Sequence, residues 1–221
     1  MKNIVMQRYG ICLCVLGLAV ICLSCGRIER TYYPDGKLES EMYYRKGKLN
    51  GRSTWYYEHG KKRMEIDYVS GRKHGTMTRF FRNGNIESQQ NYVNDTIDGL
   101  SLEYCNKGVV IGEVRYQKCV KEGTYKRYYN DGTLSVEGNF TEDKSNGNWK
   151  YYDEEGFLIS EADFVAGNGT VIMYDANGVL TRKVPYKNDV IDGTVEYYDK
   201  NGNIEKTAHY KEGRLILTNN E

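Results

Sequence analysis

From residue 26 onward, the sequence alternates between apolar and polar positions. Met64, Ile66 and Tyr68 occupy every second position of one such segment, and charged residues lie between them. Side chains of a β-strand point alternately to the two faces of a sheet, so a period of two predicts a half-buried strand. No segment after residue 26 has a sustained helical period. The chain is therefore predicted to be all-β.

The strands recur with a period of 24 residues. Each copy has a turn glycine, and an aromatic residue follows eight positions later; the turn glycines are Gly36, Gly60, Gly84, Gly108, Gly132, Gly156, Gly178 and Gly202. One interval is 22 residues because the loop at Gly167-Asn168-Gly169 is two residues shorter. We predict about eight tandem antiparallel β-hairpins. Since one hairpin cannot bury its own apolar face, the hairpins should stack into one elongated, twisted or curved single sheet.

An aromatic pair precedes most of these turns. Two residues separate Tyr57 from Gly60, whereas three separate Tyr152 from Gly156, and this wider spacing is repeated in the last three copies. A residue moved from strand to turn changes the loop length, and loop length selects the turn type. The last three copies are therefore predicted to have a different turn.

The N-terminal segment resembles a targeting sequence. Lys2 and Arg8 precede an almost wholly apolar run at 11–25, which as a helix would be about 22 Å long and too short for a ~30 Å hydrocarbon core. This pattern predicts a cleaved signal peptide with a signal helix. The alternatives are an uncleaved signal anchor and, less favoured because Cys25 stands where cleavage would fall, plain soluble secretion. Ser24-Cys25-Gly26 is similar to the lipobox of bacterial lipoproteins, although Cys22 stands where leucine is usual. The resemblance implies a lipid on Cys25.

These features divide the chain into four parts. Residues 1–24 are the predicted lipoprotein signal peptide, 25–30 a tether, 31–217 the repeat domain and 218–221 a polar tail.

Composition narrows the classes of function. The 31 basic residues nearly balance the 30 acidic ones, and cleavage would remove two basic residues (31 − 2 = 29) to leave a net charge of −1. No global basic field therefore predicts nucleic-acid binding. With 24 Gly and 21 Tyr but 2 Pro, the chain is neither collagen-like nor a proline-rich disordered segment. The 3 His are scattered, so we expect no histidine-built metal or catalytic centre and no cofactor.

Two cysteines belong to the predicted repeat domain. Cys105 lies beside the turn at Gly108, and Cys119 lies toward the opposite end of the same hairpin. At ~3.3 Å per strand residue, their separation far exceeds the ~7 Å limit for a disulfide. We predict no bridge between them, with Cys119 the more exposed.

A series of acidic residues invites a metal-binding or catalytic interpretation. One occurs at the middle of each of the first six hairpins, with glutamine in the third: Glu41, Glu65, Gln89, Glu113, Glu137 and Glu161. Successive members should lie roughly 9–10 Å apart, too far to share one ion. A solvated strand face with lysine and arginine partners is favoured. The acidic loops at 94–99 and 188–193 suggest Ca²⁺, but a structural role is favoured because a Ca²⁺ loop needs more convergent oxygens.

The aromatic pairs present a candidate binding surface. Adjacent strand residues face opposite sides, so one member of a pair can pack in the core while the other lines the exposed face. Tyr57, Phe81, Tyr129 and Tyr152 are the candidates for a groove that binds a peptide or glycan. The alternative is that these rings only pack the sheet.

The repeat resembles a known family. The segments TYYPDGKLESEMYYRKGKLNG at 31–51 and WYYEHGKKRMEIDYVSGRKHG at 55–75 are similar to the MORN repeat, in particular its bacterial MORN-2 variant. The resemblance extends over about 30–215. It implies a row of antiparallel hairpins with a binding or scaffolding role and no catalytic residues. Many bacterial relatives are described as antitoxin-like or are lipoproteins.

These observations lead to one functional hypothesis and two alternatives. We expect a non-enzymatic, lipid-anchored repeat protein of a bacterial envelope, at the outer membrane, that acts as a protein–protein interaction or scaffolding module. We expect contact with the membrane through a lipid on Cys25. The first alternative is glycan or cell-wall binding through the tyrosine row, and the second is an antitoxin-like or immunity role.

Overall fold

A computed structural model describes residues 4–5 and 26–220 of the chain. They form twenty strands, nineteen of them between Gly26 and Asn220. The strands are β1 (Ile4–Val5), β2 (Gly26–Tyr32), β3 (Leu38–Arg45), β4 (Lys48–Leu49), β5 (Gly51–Tyr56), β6 (Lys62–Val69), β7 (Arg72–Phe80), β8 (Ile86–Val93), β9 (Thr96–Tyr104), β10 (Val110–Gln117), β11 (Val120–Tyr128), β12 (Leu134–Thr141), β13 (Lys144–Tyr152), β14 (Leu158–Val165), β15 (Asn168–Tyr174), β16 (Leu180–Lys187), β17 (Val190–Ile191), β18 (Gly193–Tyr198), β19 (Ile204–Lys211) and β20 (Arg214–Asn220). The predicted all-β fold, a single antiparallel sheet of tandem hairpins, is confirmed.

The predicted signal helix falls on residues outside the described part of the chain, apart from Ile4 and Val5. These two residues form β1 and pair antiparallel with Thr31 and Arg30 of β2. Cys25 also lies outside the described residues. In the part of the chain that the structure does describe, there is no helix of the length and apolarity needed to cross a membrane.

The structure corrects two predicted boundaries. Residues 26–30, assigned to a tether, are part of β2 and pair with β3. Residues 218–220, assigned to a polar tail, belong to β20 and pair with β19. At both ends the sheet includes polar residues that the hydrophobic pattern did not assign to strands, because the backbone groups of polar and apolar residues form the same ladder hydrogen bonds.

Each hairpin has a four-residue turn that ends in the repeated glycine. In the second copy, the Gly60 amide donates to the Tyr57 carbonyl at 2.8 Å, and the Tyr57 amide donates to the Lys61 carbonyl at 2.8 Å. Gly60 has a φ of 90°, which a residue with a Cβ rarely adopts.

The prediction of a different turn in the last three copies is wrong. The Gly156 amide donates to the Asp153 carbonyl, and the Asp153 amide donates to the Phe157 carbonyl, which repeats the pattern at Tyr57. Aspartate replaces an aromatic residue at the first turn position, and its carboxylate accepts the amide of Phe157 at 2.8 Å. The turn keeps its hydrogen bonds because the Asp153 side chain, which bonds to a backbone amide of its own turn, replaces the aromatic side chain found in earlier copies.

Consecutive hairpins are joined by two-residue turns in which both residues have positive φ. Ser70 (52°) and Gly71 (89°) form one of them, as in a type I′ turn. In six of these turns, an amide donates to a carbonyl of the preceding copy. These bonds are Gly71 to Leu49 (2.7 Å), Asp95 to Lys73 (2.9 Å), Asp143 to Lys121 (3.1 Å), Gly167 to Ser145 (2.7 Å), Asp189 to Gly167 (2.8 Å) and Gly213 to Ile191 (2.8 Å). The two-residue turns are therefore stacked by hydrogen bonds outside the strand ladders.

The short repeat interval lacks a β-bulge. Between β6 and β7 the register shifts by two residues, from Tyr68↔Lys73 to Ile66↔Met77, near Gly75. Between β14 and β15 the register is continuous, and Gly169 is absent from the positive-φ glycines. The 22-residue interval is therefore shorter by the two residues that form the bulge in a 24-residue interval, and β14 and β15 pair without a bulge.

Packing divides the described residues into two compact units. The first contains the residues up to 99 together with 106–108, and the second contains 100–105 together with the residues from 109 onward. In the first unit, Ile66 is the buried apolar residue, beside the buried Ser40 and Ser53. In the second unit, a row of buried apolar residues crosses successive strands, as in Trp149↔Ala162 and Ala162↔Val171. Partly buried apolar side chains pack against this row, namely Tyr125, Val136, Phe140, Tyr151, Met173, Tyr186, Ile191, Tyr197 and Tyr210.

Trp149 occupies space that a glycine provides. A Cβ placed on Gly138 would lie 2.2 Å from the indole ring, and Gly138 itself has no positive φ. The indole Nε1 donates to the Asn139 carbonyl at 3.2 Å. The ring contacts Phe140 edge-on at a centroid distance of 5.0 Å and Tyr125 at 5.5 Å. Glycine is thus required here for close approach and not for an unusual backbone conformation.

Candidate binding surface

The second unit has a polar face on which acidic and basic residues alternate across neighbouring strands. Glu113 lies opposite Lys126, Lys126 opposite Glu137, and Glu137 opposite Lys150. Lys150 in turn lies opposite Glu161. Opposite charges at facing positions stabilise an antiparallel sheet by ~0.2–1 kcal/mol per pair. In this unit the glutamates therefore lie on a charged strand face with lysine at the facing positions, as predicted.

In the first unit the glutamates have other neighbours. Glu41 accepts from Arg30 at 2.7 Å and Glu65 pairs with Lys62 at 2.6 Å, while Thr54 lies opposite both glutamates in the strand register. Thr54 is buried, so this part of the face is less charged than its counterpart in the second unit.

Tyrosine hydroxyls complete the polar face of the second unit. Tyr128 donates to Glu113 at 3.1 Å, Tyr152 to Glu137 at 2.8 Å and Tyr174 to Glu161 at 2.8 Å. The three rings are half-buried, on the same face as the glutamates. We call this set of tyrosines, glutamates and lysines (Glu113, Lys126, Tyr128, Glu137, Lys150, Tyr152, Glu161 and Tyr174) the polar row.

Burial and the hydrogen bonds to glutamate raise the pKa of these phenols. Burial, followed by the hydrogen bond and the charge of Glu137, raises the pKa of Tyr152 to about 12. For Tyr174 the hydrogen bond to Glu161 is the first cause of a raised pKa, and for Tyr128 it is burial, ahead of Glu113. The tyrosines therefore remain neutral donors, and a hydrogen bond to a glutamate side chain holds each ring in place.

The seventh hairpin departs from this pattern for a visible reason. Lys183 of β16 occupies the strand position that holds glutamate in earlier copies, and it lies opposite Glu196. Tyr198 accordingly donates to Glu196 on its own strand, and the Lys183 ammonium lies 5.3 Å from the Tyr198 ring centroid. Tyr198 thus still donates to a glutamate, but this glutamate lies on its own strand and not on the strand of the preceding hairpin.

The four residues predicted to line a groove do not form one row. Tyr57 and Tyr129 lie at the first position of a four-residue turn, and their hydroxyls donate to the carbonyls of Phe80 and Tyr152 in the next copy, at 2.7 and 2.8 Å. Phe81 occupies the same turn position, closed by the amide of Gly84. Tyr152 alone belongs to the polar row, and all four rings are half-buried.

Sequence reasoning missed the polar row because it treated the aromatic pair as the repeated unit. The spacing that recurs is the one between a glutamate and the tyrosine that donates to it. It is 15 residues in two copies and 13 residues across the shortened interval. The proposal that the two members of a pair divide between faces holds for Tyr151 and Tyr152. Tyr151 packs against the apolar cluster, where burial raises its pKa to about 12.

The acidic loops bond to the protein backbone. Asp95 accepts from the Lys73 amide at 2.8 Å, and Asp189 accepts from the Ser145 amide at 3.2 Å. Asp192 accepts from the Glu212 amide at 3.2 Å and pairs with Lys211 at 3.2 Å. These contacts give the acidic residues the structural role that the sequence favoured. Across residues 4–5 and 26–220, no group of three His, Cys, Asp or Glu side chains could hold a metal ion.

The histidines have separate surroundings. The His59 ring stacks on Tyr57 at a centroid distance of 5.3 Å, and its Nε2 lies 2.8 Å from the Arg82 carbonyl oxygen. His209 contacts the Thr194 hydroxyl through Nδ1 at 2.8 Å. Both contacts are between neighbouring strands or turns and serve the sheet.

The two cysteines lie at opposite ends of one hairpin, as predicted. Cys105 is buried at the first position of a four-residue turn, where its amide donates to the Val109 carbonyl. Cys119 is exposed at the second position of a two-residue turn, with a φ of 70°.

Comparison with protein families gives one match, described as a MORN repeat variant. It covers residues 28–46, 49–70, 73–94, 121–142, 168–188 and 191–212, more than half of the chain. Comparison with curated proteins finds no match. The segment at 145–166, between two matched repeats, has the same strand pairing and the same closing turn as its neighbours. From the matched repeats and the hairpins that they form, the chain belongs to the MORN repeat variant family, whose repeats are not catalytic.

Proposed function

We propose that the chain is a non-enzymatic interaction module that a lipid on Cys25 holds at the membrane of a bacterial envelope. The lipid anchor rests on the basic start, the short apolar run and the Ser24-Cys25-Gly26 segment. The binding role rests on the repeats, which suggest a binding or scaffold module.

The observation that carries the proposal is the polar row. Its glutamates recur once per hairpin, roughly 9–10 Å apart, and each holds a tyrosine ring in a fixed position. Tyrosine combines a large apolar area with little conformational freedom, which suits it to protein interfaces. The alternating charges offer complementary pairs to a partner at low desolvation cost. The partner we propose is a protein with an extended, mixed-charge surface.

The anchor is tested by following the full chain through membrane fractionation and palmitate labelling. We expect label in the membrane fraction for the natural chain and no label for Cys25→Ser. Cys22→Ser is the matched control and should keep the label. A labelled Cys25→Ser protein, or an unlabelled natural chain, would contradict lipid attachment at this residue.

The binding role is tested by affinity purification of the acylated protein from its native envelope. We expect one or a few proteins in fixed ratio to the chain. A preparation that contains no stoichiometric protein would contradict the interaction role.

Glycan binding is the second candidate, favoured by the ordered rings of Tyr128, Tyr152 and Tyr174 on a polar face. Saturable binding on a glycan array or to isolated peptidoglycan supports it and argues against a purely protein-binding scaffold. Loss of that binding in Tyr152→Thr would assign it to the polar row.

A further inference from the structure

The last strand of the sheet exposes three consecutive apolar residues. In β20, Leu215 is 54% exposed, Ile216 65% and Leu217 51%. Within the described part of the chain, β19 is the strand that pairs with β20. The outer backbone N–H and C=O groups of β20 therefore form an open edge beside an exposed apolar segment.

Natural proteins protect open strand edges with charges, proline or a covering segment. β2 has such protection, since Arg27, Glu29 and Arg30 lie along it. β20 has a single charged residue, Arg214, at its start, and no charge or proline from Leu215 to Asn220. Its one irregularity is a register shift between His209 and Tyr210, opposite Ile216. An edge of this composition is suited to pairing with another strand.

We infer that β20 pairs antiparallel with β20 of a second copy of this chain. A two-fold arrangement presents the same edge from both sides, so the outer backbone groups of each β20 are satisfied by those of the other copy. It also opposes no like charges, because antiparallel pairing places the two Arg214 side chains at opposite ends of the strand pair. A partner strand of different sequence has no such built-in match. This inference concerns a surface separate from the polar row and does not depend on the lipid anchor.

The association is tested by sedimentation velocity of the full chain in a mild detergent. We expect the natural chain to be a dimer. Ile216→Lys with Leu217→Lys should raise the dimer dissociation constant at least about tenfold, because two charges would enter the shared edge. Val69→Lys with Val165→Lys is the matched control, since these valines are 48% and 73% exposed and lie before two-residue turns. It should leave the dimer unchanged.

Circular dichroism of each variant establishes that the chain is folded. A monomeric natural chain would overturn the inference, including one that copurifies only with a different protein. A dimer of equal stability in the Ile216→Lys, Leu217→Lys variant would place the interface elsewhere and would also overturn it.

A crosslinking experiment tests the geometry directly. Single cysteines at positions 215, 216 and 217 lie near the two-fold axis of an antiparallel pair. Oxidation should crosslink at least one of them into a dimer. A cysteine at position 165 and the unsubstituted chain give the background from other contacts and from the native cysteines. Crosslinking no greater than this background at all three positions would contradict antiparallel pairing of β20.

Discussion

At the scale of single residues, the fold depends on places where one side chain is small because its neighbour is large. Gly138 and Trp149 are the clearest case, since a Cβ on the glycine would lie 2.2 Å from the indole. Trp149 in turn contacts Tyr125, Phe140 and Phe164. The sequence shows glycine at this position of an apolar strand face, but only the packing reveals which side chain uses the space.

Gly138→Ala should lower the free energy of unfolding by about 1–3 kcal/mol, because the new methyl group overpacks the indole. Urea denaturation of Gly138→Ala, Trp149→Leu and the double variant measures the coupling between the two positions. Since leucine vacates the space, the alanine should cost less in the double variant than alone. Additive effects of the two substitutions would contradict direct steric contact.

Alkaline pH provides a second test at the residue scale. The pKa values of Tyr151 and Tyr152 are raised from 10.0 to about 12, first by burial in both cases. The unfolded chain releases these protons near pH 10, and the folded chain retains them. Their contribution to stability is therefore complete below pH 10 and is lost as the pH rises from 10 to about 12.

An ultraviolet titration of tyrosinate absorbance should show a late component, diminished in Tyr151→Phe and in Tyr152→Phe. Circular dichroism at each pH reports whether the chain is still folded. Complete ionisation of every tyrosine near pH 10 in a folded chain would contradict the burial described for these two phenols.

At the scale of elements, the two kinds of turn hold the repeats together differently. The four-residue turns bond within one hairpin, whereas the two-residue turns bond to the preceding copy. Asp95 and Asp143 each accept an amide 22 residues earlier, from Lys73 and Lys121. Asp189 reaches 44 residues back to Ser145, past the intervening Gly167, which has no side chain to block it. The shortened interval is thus joined to two neighbouring copies.

Asp189→Ala should reduce the free energy of unfolding by about 0.5–1.5 kcal/mol, because the Ser145 amide loses its carboxylate acceptor. Glu142→Ala is the matched control, because Glu142 is exposed and has a positive φ of 51° in a two-residue turn; it should stay within about 0.5 kcal/mol of the natural chain. Equal losses in the two variants would show that the contact across 44 residues adds nothing.

The hairpins could be predicted from the sequence because period-two alternation and recurrent glycine are local signals. The turn change predicted for the last three copies was wrong because the aromatic pair does not define the register. The aromatic residue that ends the strand keeps its distance from the glycine, as Tyr128 does from Gly132 and Tyr152 from Gly156. The stacked two-residue turns and the Tyr152–Glu137 bond could not be read from the pattern alone, since both join residues through pairing across strands.

At the scale of the whole molecule, one repeated hairpin separates structural and surface roles between its faces. In the second unit, Trp149, Phe164 and their neighbours form the buried cluster, while the polar row occupies the other face. In this unit, successive hairpins add residues to both faces, as expected for a repeat protein whose units contact mainly their neighbours. A binding surface built in this way should tolerate changes outside the row and lose affinity when several of its members are changed together.

The most direct test of this account compares capture of envelope proteins by three full-length chains. In one variant Tyr128, Tyr152 and Tyr174 are replaced by threonine. In the matched control Val69, Val93 and Val165, all exposed and each preceding a two-residue turn, are replaced by threonine. The natural and control chains should retain the same stoichiometric partner, and the tyrosine variant, folded by circular dichroism, should lose it. Equal capture by all three chains would contradict the polar row as the binding surface.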